Sequence, residues 1–422
     1  MNYHSLTKRL FSKKFLHFII LCNLFFNVVI GADPMPSAAP PISGWIPREM
    51  NLDRTEIPKN ILVVVPVGGL SHLRHILTIS NILADRGYNV TLTTKGTFKL
   101  SQQYPKINFI SLGEVTDFLN NPEFVDLVQG KFNIGKLQNI FKRRFDSYNS
   151  TFLQLKVISE IVKPDLFFCD TLNNEPCFDM AWVKNKPFVG IATSVLGLSR
   201  VPYKSDPLFE CKVSMENESF WERFRCEIIS PLKFIWTLRN SFGEFNEVRA
   251  SYGLPTLKNP FDRWQSSLFL LDNFFGFEMP IPLSPIIQEI GPVLPDYYPP
   301  LTPDIEKFLT LHKRTIHSGA GSAHESLYTG TPILALPITF DQPALNQKNI
   351  NDDNKFDDKL IFKDLITPDT RMGFIKGKYL DVYATALVIF VSISYGILRG
   401  LYIIGKLIYV KLFKNEDKEK KE

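Results

Sequence analysis

Histidine and cysteine are scarce in this 422-residue sequence, at seven and five residues. Apart from Cys22, the cysteines are Cys169, Cys177, Cys211 and Cys226. They show no metal-ligand spacing, so no metal site is expected. A Cys211–Cys226 disulfide is compatible with the sequence, but spacing alone does not fix the pairing. An excess of one charge is missing too. The formal net charge is +5, but residues 1–32 hold four of the positive charges (Lys8, Arg9, Lys13, Lys14) and no acid. Residues 379–422 are net +2, which leaves the body, 33–378, at −1. With no basic face there, a nucleic-acid partner is not expected.

What is present begins at the two ends. A basic start, an apolar run from Phe15 to Ile30 and the small pair Gly31-Ala32 read as a secretory signal peptide over 1–32. A Pro-rich leader, 33–57, follows. Near the other end, Tyr383 to Gly405 meets the about 20 residues needed to cross a bilayer, within a span set at 380–406. Asp381 and Lys406 bracket it, and Arg399 can snorkel to the nearer interface. Lys411, Lys414, Lys418, Lys420 and Lys421 in the tail, 407–422, place that end in the cytoplasm by the positive-inside rule. The body is then lumenal. The closing KEKKE resembles a dilysine retrieval tag, which implies the endoplasmic reticulum membrane. Asn89, Asn149 and Asn217 are glycosylation sequons, with Asn89 disfavoured because it falls in an expected strand.

Between these ends, 45% hydrophobic and 22% charged residues suit two ordinary domains. Asn60 to Pro66 is a continuous apolar run of buried parallel-strand type. A helix from about Leu73 to Arg86 follows, with Leu73, Ile76, Leu77 and Leu83 on one face, then the strand YNVTLTT. Ile107 to Ser111, a long helix around Lys136 to Val162, LFFC and then Phe188 to Ala192 continue the alternation. It predicts an α/β fold with a doubly wound parallel sheet over 58–298. Glu218 to Tyr252 breaks the rhythm with a helical stretch rich in Phe220, Trp221, Phe224, Phe234, Trp236, Phe242 and Phe245. These aromatics either pack on the domain or form an apolar acceptor pocket or membrane-facing surface.

His72 follows the first strand and a GG turn, so it lies at the carboxyl end of that strand. An imidazole there can take a proton from an attacking hydroxyl. Asp170 ends LFFC at the edge of another strand, where a carboxylate can orient the imidazole. The plainer reading is that His72 caps a helix, and His75 is the alternative exposed histidine.

The second chemical stretch is Thr315 to Asn346, TIHSGAGSAHESLYTGTPILALPITFDQPALN. Ser318 to Ser322 leave backbone N–H groups uncovered where a helix begins, which suits a phosphate. Gly330 and Pro332 stop the helix, Ile333 to Pro337 reads as a strand, and Asp341 and Gln342 follow at its carboxyl end. Ser322 and Glu325 also make an S-x-x-E capping box, which needs no ligand.

The order and spacing of His317, Ser322, Glu325 and Asp341-Gln342 resemble the nucleotide-sugar motif of the UDP-glycosyltransferases. Ser318 stands where Gly or Cys is usual and Gly321 where Asn is common. The GGLSH and PDLFFCD segments resemble that family's base-bearing and Asp-bearing segments, and NEVRASYGLP and QEIGPVLP are similar as well. The resemblance implies a GT-B fold: two doubly wound Rossmann-like domains, 58–298 for the acceptor and 299–372 for the nucleotide sugar, plus the C-terminal transmembrane helix. It implies His317, Gly319, Gly321 and Ser322 at the diphosphate, Glu325 at the ribose, and Asp341 and Gln342 at the sugar. It also implies His72 and Asp170 as the catalytic pair of an inverting, metal-independent hexosyl transfer. The UDP-sugar is a co-substrate and no cofactor is needed. The expected acceptor is an apolar small molecule or lipid bearing a hydroxyl.

One part of that pattern is short. About 26 residues separate Gly291 from His317, where a βαβ unit needs about 30 or more, and the family's Trp-x-Pro-Gln segment is not there. The C-terminal domain is therefore expected to be truncated. Two functions follow: a UDP-sugar-dependent transferase of glucose or glucuronate, or an inactive homologue that binds acceptor at the membrane or partners intact transferases in homo- or hetero-oligomers.

Overall fold

The structure, a computed structural model, describes residues 59–67, 70–96, 104–114, 134–194, 201–205, 211–258, 267–274, 276–294, 300, 302–311, 316–317, 334–335 and 367–419. The expected signal peptide and leader lie outside these residues.

Strand β1, Asn60–Val65, is the apolar run NILVVV, and every residue after Asn60 is buried. Its side chains alternate between two cores, as a strand covered on both faces requires. Ile61, Val63 and Val65 pack against Leu73, Ile76 and Leu77 of helix α1, Leu70–Asp85. Leu62 and Val64 face the opposite side, with Phe141, Phe145, Tyr148 and Phe152 of helix α2, Ile134–Val162. The expected apolar face of α1 is thus the buried one, although the helix begins at Leu70 rather than Leu73.

Strands β2 (Asn89–Thr94), β3 (Asn108–Ser111), β4 (Leu166–Asp170) and β5 (Phe188–Ala192) follow, with helix α3 (Glu175–Val183) between the last two. Two strands not expected from the sequence, β6 (Leu268–Leu271) and β7 (Ile287–Glu289), complete a seven-stranded sheet. Its order is β3-β2-β1-β4-β5-β6-β7 and every pairing is parallel. The doubly wound α/β expectation holds. Gly190 on β5 is required by packing, because a Cβ there would stand 2.2 Å from the Phe269 ring on β6.

The aromatic stretch forms helix α4 (Phe220–Phe224), a π-helical turn (Arg225–Ile229) and helix α5 (Ser230–Ser251). Ser219 and Glu222 make a capping box at its start. Most of its phenylalanines pack on the domain: Phe245 stacks on Phe145 at 4.5 Å, and Phe234 meets Phe141 edge-on at 5.7 Å. Trp221 and Trp236 do not, being 69% and 68% exposed. At the far end, Arg249 is fully buried. Its Nε and Nη2 donate to Asp179 at 2.7 and 3.0 Å, and its Nη1 to the Pro255 carbonyl at 2.7 Å. The Tyr148 hydroxyl also donates to Asp179, at 2.9 Å. A buried guanidinium is tolerated only when paired this fully.

Two disulfides are present. Cys211–Cys226 is the pairing the sequence left open, and Cys169–Cys177, which joins β4 to α3, was not expected.

Helix α6 (Pro303–Leu311) leads to a separate parallel pair, β8 (Ile316–His317) and β9 (Leu334–Ala335). Short helices α7 (Asp369–Met372) and α8 (Phe374–Gly377) precede the long helix α9, Leu380–Glu419. Leu380–Ile408 of α9 is long and apolar enough to cross a membrane, at 29 residues and a mean hydropathy of 2.0. The start of α9 is docked on α4 and the π turn. Arg223 donates twice to Asp381, at 3.0 and 2.5 Å, and the Tyr383 hydroxyl donates to Glu227 at 2.7 Å. Tyr379, Val382 and Ala386 are buried against Met215, Phe224, Cys226 and Ile228.

Candidate functional site

In an open parallel sheet, ligands collect at the carboxyl ends of the strands where the strand order reverses. Here that point lies between β1 and β4. The chain leaves β1 and enters α1, whose first turn carries His72; β4 ends on Asp170. His72 Nδ1 and Asp170 Oδ1 are 3.3 Å apart. The carboxylate is 1% exposed and the imidazole 23%. A buried carboxylate beside Nδ1 favours the tautomer with the proton on Nδ1. That leaves Nε2 as the basic nitrogen, and the carboxylate stabilises the imidazolium once a proton is taken.

The neighbourhood of Asp170 is tied down by four contacts. Asn174, fully buried, donates from Nδ2 to the Val64 carbonyl at 2.8 Å, which joins the loop after β4 to β1. The Thr171 amide donates to the Ile191 carbonyl of β5 at 3.1 Å. Cys169, one residue before Asp170, is bonded to Cys177 in α3. Arg144 of α2 grips Glu175 at the start of α3 through both carboxylate oxygens. A preorganised pair needs supports of this kind.

His75, one turn further on, is the buried histidine of the two, and the expectation that it is the better exposed is corrected. Its turn of α1 faces the sheet alongside Ile76 and Leu77. His75 Nδ1 stands 3.8 Å from Oδ2 of Asp272, just past the end of β6, a distance too long for a hydrogen bond. Burial pushes the Asp272 carboxyl up to about 6, against the opposing pull of the Val293 amide, which donates to its Oδ1 at 2.7 Å. Gly291 makes this corner feasible, since a Cβ there would lie 2.5 Å from the Asn273 amide nitrogen. The sequence reading missed Asp272. The available signal was an acid directly after the apolar run LFLL, the same pattern that exposed Asp170 after LFFC.

Of the residues expected at the nucleotide sugar, His317 ends β8, where it pairs with Ala335 of β9 through the backbone. Gly319, Gly321, Ser322, Glu325, Asp341 and Gln342 lie outside the described residues, as does the helix expected to stop at Gly330 and Pro332. Among the described residues, no group of three or more His, Cys, Asp or Glu side chains is placed to hold a metal.

No family model matches the chain. Four curated proteins do, and all are UDP-glycosyltransferases. The chain is 32% identical over 189 residues to UDP-glycosyltransferase 1 of Phaeomoniella chlamydospora, covering 44% of this chain and 38% of that protein. It is 26% identical over 274 residues to UDP-glycosyltransferase FPY2 of Fusarium mangiferae, covering 61% and 48%. The chain thus spans about half the length of the curated relatives it matches, or less. Among solved structures, the glycotransferase of kitacinnamycin aligns over 79% of this chain and 93% of its own, at 16% identity and a TM-score of 0.46.

Proposed function

We propose, taking the similarity to UDP-glycosyltransferases as premise, that the chain serves hexosyl transfer from a UDP-sugar to the hydroxyl of an apolar acceptor. The observation that carries the reading is the His72–Asp170 pair at the switch point of the sheet. His72 takes the acceptor's hydroxyl proton as the oxygen attacks the anomeric carbon. The new C–O bond forms from the face opposite the leaving group. The bond to the diphosphate oxygen breaks, and UDP departs with the electron pair. The anomeric centre inverts, and no step calls for a metal. Asp170 holds the ring and stabilises its charged form. Glucose or glucuronate is the donor sugar in this reading. The diphosphate rests on His317, Gly319, Gly321 and Ser322, the ribose on Glu325, and the sugar on Asp341 and Gln342. The acceptor half is the seven-stranded domain of a GT-B arrangement. The protein sits in the endoplasmic reticulum membrane through α9, with its body in the lumen and its Lys-rich tail in the cytoplasm.

A second reading, an inactive membrane-held acceptor binder or partner of intact transferases, is favoured by one observation. About 26 residues separate Gly291 from His317, too few for the first βαβ unit of a nucleotide half. The test is radiolabelled UDP-glucose or UDP-glucuronate, a panel of apolar alcohols and phenols, and the full chain with its His72→Ala variant. Transfer by the wild type that falls roughly 10²-fold or more in the variant, with UDP binding kept, supports the transferase. A wild type that binds acceptor and transfers nothing supports the second reading. Equal transfer by both proteins refutes His72 as the base.

A further inference from the structure

The helix running from Phe220 to Ser251 has two unlike faces. Phe224, Ile228, Leu238 and Phe245 are buried in the domain. On the outer side Arg225, Ile229, Leu232, Trp236 and Arg239 recur at alternating intervals of four and three residues, one stripe of a helix. All five are exposed, as are Lys233 and Ile235 beside them and Trp221 one turn before. The Arg239 guanidinium lies over the Trp236 ring, 3.7 Å from its centroid. Large exposed apolar side chains in one patch mark a binding surface. Two tryptophans among basic residues is the composition of a bilayer interface.

The docking of α9 says which partner lies there. Arg223 and then Glu227 engage Asp381 and then Tyr383, so the contacts advance in the same chain sense along both helices. The first turns of α9 are therefore seated on the segment that also carries Trp221, Arg225 and Ile229. Among the described side chains of α9, Ala386 is the last buried one. From Val388 to Ile408 its side chains are mostly exposed and apolar. At 1.5 Å per residue that stretch spans about 30 Å, the thickness of a hydrocarbon core. The bilayer surface then falls close to where α9 leaves the domain, beside the stripe. Phe374 and Ile375 of α8, exposed on the approach to α9, are at the same end.

We propose that the outer face of α4, the π turn and α5 is a second membrane contact, seated in the headgroup layer of the bilayer that α9 crosses. Trp221, Ile229, Leu232, Ile235 and Trp236 enter the acyl boundary, while Arg225, Lys233 and Arg239 meet lipid phosphates. Glu222, the acid beside Trp221, accepts from the Ser219 amide and hydroxyl at 3.1 and 2.9 Å. The proposal rests on α9 being a membrane span, and the experiment separates the two.

The full chain is reconstituted into phosphatidylcholine–phosphatidylserine vesicles, with acyl chains either plain or brominated near the carbonyl end, and washed with alkaline carbonate. Tryptophan fluorescence is then compared between the two lipids, because bromine quenches only rings within the bilayer. We expect the chain to stay with the vesicles and its fluorescence to fall in brominated lipid. The Trp221→Phe/Trp236→Phe variant loses most of that fall, and Trp182→Phe, altered within the domain, keeps it. A retained chain whose quenching is absent, or is the same in the double variant, overturns the surface contact and leaves the span standing. A chain stripped off by carbonate overturns both.

Discussion

Replacing Asp272 with Asn tests whether the carboxylate at the end of β6 is a cost built into the seven-stranded domain. The side chain is buried, and its carboxyl is raised from 3.8 to about 6 by that burial. A group that binds its proton more tightly in the folded state than in the unfolded state lowers stability as it ionises. The folded protein holds the proton between about pH 4 and 6 while the unfolded chain has released it, so stability falls as pH rises through this window. Above it the full cost remains, about 3 kcal/mol as an upper figure. Asn keeps an acceptor for the Val293 amide and removes the charge. Asp272→Asn should therefore melt up to about 5–10 °C higher than wild type at pH 7, with the gain shrinking toward zero near pH 4. Melting of the detergent-solubilised chain at half-unit pH steps reads this directly. A variant that is less stable at pH 7 would refute the reasoning. It would mean that a charged His75, 3.8 Å away, holds Asp272 as a true ion pair.

Two further outcomes follow from the packing and a third from the proposed function. Arg249→Met leaves the buried Asp179 carboxylate without its guanidinium counter-charge and should cost about 3–5 kcal/mol in urea unfolding, much of which Arg249→Met/Asp179→Leu recovers; equal losses in both would show that the pair itself is not the source. Cys177→Ala opens a disulfide across eight residues and should cost about 2–3 kcal/mol. Since Cys169 neighbours Asp170, any transfer activity should fall with it, and unchanged stability would contradict the loop-closure estimate. Glu325→Ala should weaken UDP binding measured by calorimetry, whereas unchanged affinity would make the Ser322–Glu325 capping box the whole role of that glutamate.

The sheet was legible because β1, β4 and β5 are covered on both faces and so appear as unbroken apolar runs between turn residues. β6 and β7 escaped, being only four and three residues long and carrying no helix-period stretch between them to mark the alternation. The candidate pair was legible for a related reason: Asp170 is the last residue of β4 and His72 lies in the first turn of the helix after β1, so both sit at strand carboxyl ends, where the fold places its ligands. His75 was misjudged because its exposure is decided by the turn of α1 that lies against the end of β6, a strand the sequence had not revealed. Cys169–Cys177 and Arg249–Asp179 are tertiary pairings that join separate elements, and no local pattern announces either. The aromatic segment divided as the sequence allowed it to, with the phenylalanines inside and both tryptophans outside.

The most direct test of the His72–Asp170 unit is a mutant cycle on hexosyl transfer, measured as kcat/KM for wild type, His72→Ala, Asp170→Asn and the double variant. If Asp170 acts only through the imidazole, each single change lowers transfer by roughly 10²–10⁴-fold, and the double variant is no worse than His72→Ala alone. Losses that multiply in the double variant would contradict the account, because the two side chains would then be working independently despite their 3.3 Å contact.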